Sequence, residues 1–200
     1  MKDFFKPILI LTTICMVAAV ILAKVYDITK EPIAEQKSRE QLNAIDAVVP
    51  GHDNDPIKDA IKVSVGKDKR GEEQVIEFFR CFKQDKLVGV AFKAKTSEGF
   101  GGNIAIMIGV NEKGIITGIE ILESQESPGL GAKILKPFFK DQFKGRSLQN
   151  TKWQVKKDGG DIDQITGATV SPRAVTKAVK EGLRIFEQFK EKFIFSLPTK

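Results

Sequence analysis

Histidine, tryptophan and tyrosine each occur once in these 200 residues, and cysteine occurs twice. Cys15 lies inside an apolar run and Cys81 inside a strand-like segment, so an intrachain disulfide is not expected. There is no Cys-x-x-Cys pair, which argues against an iron–sulfur cluster on this chain. His52, in Pro50-Gly51-His52-Asp53-Asn54-Asp55-Pro56, reads as a solvated loop histidine, so no metal site is expected. The single Trp and Tyr leave little to stack nucleobases on, and the lysines are interleaved with acids without a dense basic block. Nucleic acid is therefore not an expected partner, and the net charge of +6 suits an anionic membrane surface better. No glycine fingerprint for a dinucleotide stands at a strand–helix junction, so NAD is not expected to bind here. Internal repeats and low-complexity tracts are lacking too.

What remains is an ordinary globular composition, 42% hydrophobic and 29% charged, long enough for one domain and an attachment. The attachment is N-terminal. Pro7 to Ala23 is a run of 17 residues without a charge, which as a helix covers roughly 26 Å, just short of a hydrocarbon core. Lys6 and Lys24 can snorkel at its ends and Tyr26 suits an interface. Ile21-Leu22-Ala23 is a poor signal-cleavage site, which favours a retained anchor over a signal peptide. Basic residues before the span place residues 1–6 in the cytoplasm and the large domain outside it. Cell-membrane localisation by a single pass follows, with residues 7–23 as the anchor.

Residues 24–58 read as a spacer helix and linker. Pro32 starts the helix, Ala34, Leu42, Ile45 and Val48–Val49 form its apolar stripe, and Pro50-Gly51 ends it. Strand-like runs follow at Val75–Phe82, Lys86–Lys95, Asn103–Val110 and Ile115–Leu122, with turns at Gln84-Asp85 and Asn111–Gly114. Helices are expected over Lys133–Phe143 and Pro172–Phe195, the second carrying apolar residues from Val175 to Phe193 at helical spacing. The predicted class is α+β, an antiparallel sheet with packed helices behind one transmembrane helix.

Two loops carry chemistry. In Glu126-Ser127-Pro128-Gly129-Leu130-Gly131-Ala132-Lys133 the glycines force a tight turn whose backbone can approach a ligand. Glu126 and Ser127 offer an acceptor and a hydroxyl, and Lys133 a positive charge. Upstream, Gly99-Phe100-Gly101-Gly102 precedes a strand and reads as a bulge or a backbone passing under a flat ligand. The second loop is Asp163-Gln164-Ile165-Thr166-Gly167-Ala168-Thr169, with Ser171 as the predicted N-cap and Pro172 as the first residue of the last helix. Small residues leave Thr169 unshielded at a helix N-terminus, where backbone N–H groups and the dipole favour a phosphate.

The second loop resembles the flavinylation motif Asp-x-x-Ser/Thr-Gly-Ala-Thr, filling every specified position from Asp163 to Thr169. With Phe-Gly-Gly before a strand and Glu-Ser-Pro-Gly-Leu-Gly-Ala-Lys after the next hairpin, nearly the whole chain resembles the G subunit of Rnf-type electron transport complexes. That family shares its FMN-binding domain with the C subunit of the sodium-translocating NADH:quinone reductase. The resemblance implies an FMN-binding domain over residues 59–200 and FMN joined to Thr169 through its phosphate by a flavin transferase that recognises Asp163. It implies cofactor contacts by Thr166, Gly167, Ala168, Glu126, Ser127, Leu130, Gly131 and Lys133. It also implies an electron-relay subunit without catalytic residues of its own, partnered by the membrane and peripheral subunits of a complex coupling ferredoxin and NAD chemistry to ion transport. The quinone reductase subunit and a membrane-anchored flavin sensor or regulator remain as alternatives. Ser127 stands where the family often has threonine, and Thr166 where it often has serine; both keep the hydroxyl.

Overall fold

The computed structural model describes residues 2–67 and 73–194; Phe195, the expected end of the last helix, lies outside them, as does the side chain of Phe193. The chain divides into two compact units, Met1–Glu40 and Gln41–Lys200. The described residues of the first are all helical and belong to α1 (Lys2–Val48). Helix α1 is long and apolar enough to cross a membrane: its most apolar window has a mean hydropathy of 2.6 and buries no side chain.

Pro32 does not start a separate helix. Both Pro7 and Pro32 lie inside α1. An interior proline removes one backbone hydrogen bond, and the Ala, Glu, Gln, Lys and Arg residues that follow Pro32 are strong helix formers that carry the helix through. The last turns of α1 are also more than a spacer. Ala44, Ile45, Val48 and Val49 are buried against Phe79, Cys81, Ala91 and Met107, forming one of two cores in the second unit. Thr117 donates its hydroxyl to the Val48 carbonyl, and His52 closes the helix end. The His52 side chain is only 7% exposed, with Nε2 3.1 Å from Asp46 Oδ1 and Nδ1 3.0 Å from the Val49 carbonyl. It is therefore not the solvated loop residue expected: the carbonyls and the acid at a helix C-terminus draw it in.

Five strands follow: β1 (Ala60–Lys67), β2 (Glu73–Lys83), β3 (Lys86–Thr96), β4 (Ile104–Val110) and β5 (Ile116–Ser124). They pair antiparallel in sequence order. Positive φ at Gln84 (48°) and Asp85 (61°) gives the β2–β3 turn the twist a two-residue hairpin needs. Alternation sorts the strands' side chains between two cores. Phe78, Phe92, Ile106 and Ile108 point to one face, while Phe79, Ala91 and Met107 point to the face under the end of α1.

Helix α3 (Val170–Ile194) lies on the first face, against β3 and β4. Val175, Val179, Leu183 and Phe186 recur at three- and four-residue spacing and are buried, with Phe186 stacked on Phe92 at 6.1 Å. The helix expected over Lys133–Phe143 is broken. A 3-10 turn at Gly131–Leu135 precedes α2 (Pro137–Lys140), and another follows at Asp141–Phe143. Pro137 is the cause: a residue before proline is held extended, and Lys136 has φ −80° and ψ 147°.

Cys81 is fully buried below α1, and burial, with the nearby Asp46 charge, pushes its thiol up to about 12. Because the thiolate is the nucleophile, Cys81 stays unalkylated in native protein at mildly alkaline pH. Mass spectrometry of iodoacetamide-treated protein should find the label on its peptide only after unfolding. Prompt labelling of folded protein would show that the end of α1 does not cover it.

Candidate functional site

Buried isoleucines organise the motif loop. Ile162 and Ile165 are inserted in the core, so Asp163, between them in the chain, faces outward. Its N–H donates to Gln142 Oε1 at 2.6 Å and its carboxylate meets Lys156 Nζ at 2.7 Å, with both ionic side chains more than half exposed. Ile165 to Ala168 is then a β-turn: the Ala168 N–H donates to the Ile165 carbonyl at 3.0 Å, and Gly167 has φ +80°. That is a type II turn, whose third position favours glycine. Thr166 and Gly167 are exposed on the turn, while Ala168 and Thr169 are half-buried.

Helix α3 starts two residues earlier than its sequence signals indicate. The Arg173 N–H donates to the Thr169 carbonyl at 3.2 Å, so Thr169, not Ser171, is the cap residue. Pro172 is the third helical residue instead of the first. It still costs no hydrogen bond, since first-turn N–H groups have no acceptor within the helix. Arg173 fixes the same turn to the preceding loop through a two-point ion pair with Asp158 at 2.6 Å, and this holds the Asp158 carboxyl below its usual range.

Beside Thr169 opens a cavity of about 180 Å³ lined by Phe100, Glu126, Ser127, Leu130 and Gly131 and by the continuous segment 167–171. Three loops far apart in sequence meet here. Of the residues expected at the site, Glu126, Ser127, Leu130, Gly131, Gly167, Ala168 and Thr169 line the cavity. Thr166, Lys133 and Asp163 do not, and all three are exposed. Lys133 faces outward because the 3-10 turn buries Gly131 and Ile134 in its place. Ser171 was expected only as a cap. Its two-residue spacing from Thr169 was legible, but its burial depends on the helix starting early.

Two buried oxygens in this cavity find no hydrogen-bond partner among the described residues: Glu126 Oε2 and Ser171 Oγ. Glu126 is 7% exposed and Ser171 1%. The other Glu126 oxygen accepts from the Gly101 N–H at 3.3 Å. An unsatisfied buried polar group costs about 1–3 kcal/mol, so the pair marks a place built for something polar. Gly131 keeps that place open. A Cβ there would collide with Glu126 Oε2 and stand 2.8 Å from Ser171 Oγ. At the rim, Phe100 and Leu130 are 75% and 49% exposed. Larger hollows exist, such as one of about 470 Å³ beside Trp153, Lys180 and Arg184. Among the described residues, neither unsatisfied buried side-chain atom lies there.

A ligand suited to these features has an anionic end for the helix N-terminus, hydroxyls for the buried oxygens and a flat apolar part for the rim. FMN has all three, so the residues present fit it. The volume lies below the ~300–1,000 Å³ of a site that encloses a whole drug-sized ligand, so this cavity takes only part of such a molecule.

Fold and site together define an FMN-binding domain joined to an apolar anchor helix. The FMN-binding domain family matches residues 99–184, and the RnfG N-terminal region matches residues 5–48. The G subunit of the ion-translocating oxidoreductase complex of Aliivibrio fischeri (strain MJ11) is 36% identical over 196 residues, covering 94% of this chain and 93% of that protein. Its counterpart in Shewanella baltica (strain OS223) is 34% identical over 196 residues, covering 94% and 92%. Among solved structures, Shewanella oneidensis NqrC shares the fold with a TM-score of 0.53 at 23% identity, over 72% of this chain and 76% of that one. The C subunit of the Na(+)-translocating NADH-quinone reductase from Parabacteroides distasonis gives 0.51 at 18% identity, over 81% and 96%. The chain belongs to the RnfG family, the G subunits of ion-translocating oxidoreductase complexes. It is an FMN-binding membrane protein and one component of such a complex.

Proposed function

We propose that this chain relays electrons inside an Rnf-type ion-translocating oxidoreductase, carrying FMN as a phosphoester on Thr169. The observation that carries this reading is Thr169 itself, half-buried as the cap of α3 beside a cavity with two unpartnered oxygens. When bound, FMN supplies the redox chemistry; the protein supplies position, field and solvent access. The α3 N-terminus offers backbone N–H groups and a positive dipole end to the phosphate. Gly167 and Ala168 keep the approach to the Thr169 hydroxyl open. Asp163, Thr166 and Gly167 form an exposed strip before Thr169 that a flavin transferase can read. An ester bond keeps the cofactor from dissociating on the far side of a membrane. Lys133, exposed and off the cavity lining, is better placed to meet a neighbouring component of the complex than the ring.

The intact complex, isolated from membranes through a tag on this chain and resolved into identified subunits, tests the reading. It should contain integral-membrane and redox-carrier subunits, with a fluorescent flavin band at the mass of this chain. Recovery of this chain alone would favour a free-standing flavin sensor.

The same reading places residues 24–200 on the outer face of the inner membrane, with Pro7–Ala23 retained as the anchor. The support is the basic flank before the span. A reporter active only outside the cytoplasm, fused after Lys200, should be active in the membrane fraction. Inactivity would put the flavin on the cytoplasmic side, and activity in a shortened soluble product would identify a cleaved signal.

A further inference from the structure

We propose that Glu126 and Ser171 form a polyol subsite that holds the ribityl chain of the flavin. The inference rests on FMN being the ligand of this cavity and goes on to say which part of it each residue meets. Both side chains are more than nine-tenths buried, both line the cavity that Thr169 lines, and one oxygen of each has no partner among the described residues.

Their chemistry selects among the parts of the molecule. An ionised carboxylate only accepts hydrogen bonds, so Glu126 Oε2 needs a donor. The phosphate has none to give at neutral pH and repels a carboxylate. The flat ring system is largely apolar and carries a single N–H donor. The ribityl hydroxyls are donors and acceptors in a row, and they can satisfy Glu126 and Ser171 together. Chain geometry agrees. Ser171 lies two residues beyond Thr169, in the first turn of α3, and the ribityl chain is the part of FMN bonded to the phosphate.

The arrangement of the cavity follows the same order. Its buried oxygens are polar, and its exposed rim carries Phe100 and Leu130. At about 180 Å³ it has room for a polyol but not for polyol and ring together. Gly131 is needed because any side chain there would fill the space between the two oxygens.

The full-length, unloaded chain in detergent micelles provides the test, with riboflavin and lumiflavin as probes. The two share the ring, but lumiflavin has a methyl group in place of the ribityl chain. Quenching of flavin fluorescence, measured against empty micelles, should show riboflavin binding about tenfold tighter, the scale of one or two satisfied hydrogen bonds. Glu126→Leu and Ser171→Ala should each reduce that preference while lumiflavin affinity stays as in the parent. Equal affinity for both probes in the parent, or a preference that survives both substitutions, would overturn the proposal. Should Glu126→Leu fail to fold, Ser171→Ala decides alone, since removing one oxygen leaves α3 intact. Covalent loading with a transferase, read separately as in-gel fluorescence, keeps the two ideas apart. A parent that takes no covalent flavin but prefers riboflavin refutes attachment at Thr169 and leaves the subsite standing.

Discussion

On the proposed attachment, Thr169→Ala is expected to abolish covalent flavin labelling of this protein completely. Co-expressed with a flavin transferase, the parent should give a fluorescent band on a denaturing gel and the variant only background. The proposed phosphoester needs an oxygen at that position and alanine has none. Thr169→Ser keeps the oxygen and should keep part of the label. Thr166→Ala should keep the label too, because Thr166 lies exposed on the turn and off the cavity lining. Unfolding cannot imitate the result. A threonine-to-alanine change at a helix cap costs about 0.5–2 kcal/mol, and at about 2–4 °C per kcal/mol the melting temperature falls only a few degrees. A band as bright as the parent's would move the attachment to another residue.

The second large effect lies on the face of the sheet opposite α3. Ile45 is fully buried where the end of α1 covers the sheet. Ile45→Ala removes packed methyl groups from a site closed on all sides, a change that costs about 2–5 kcal/mol. The thermal midpoint should fall by roughly 4–20 °C on the same scale. Leu42→Ala, in the same stretch of α1 but only partly buried, should fall much less. Equal small shifts at both positions would make these turns the spacer that their sequence resembles. Ile45→Ala should also expose Cys81 to alkylation, which ties the loss to this face of the sheet.

The sheet was largely legible because four strands advertise themselves through alternation and through turns at Gln84-Asp85 and Asn111–Gly114. Strand β1 was not recognised. Ile61, Val63 and Val65 alternate with Lys62 and Ser64, yet an edge strand carries so short an apolar signal that it does not stand out within the domain. Helix α1 hid its dual nature for a related reason. Ala44, Ile45, Val48 and Val49 fit an amphipathic spacer as well as a core element, and only the tertiary partner distinguishes them. At the site, the motif gave Thr169 and its small neighbours because their identities are the signal. It could not give Ser171 as a lining group, since Pro172 suggested a later helix start than the one the backbone adopts. Lys133 differs in the opposite direction: a charge near glycines looks like a lining group, but the 3-10 turn leaves it exposed and off the cavity.

The sequential order of the five strands has a consequence for biogenesis. Each strand pairs with the one made just before it, so the meander can form as the chain leaves the ribosome. Helix α3 is the last described element, and the cavity needs residues around 100, 130 and 170 at once. Until α3 is complete, Phe92, Ile106 and Ile108 form a naked apolar face that invites chaperones or sticky neighbours. A nascent chain stopped at Thr169 has the proposed acceptor hydroxyl but neither the helix dipole nor a closed pocket. Attachment at Thr169, as proposed, would therefore be post-translational, and any flavin added earlier would mark a chain whose folding has yet to be proved.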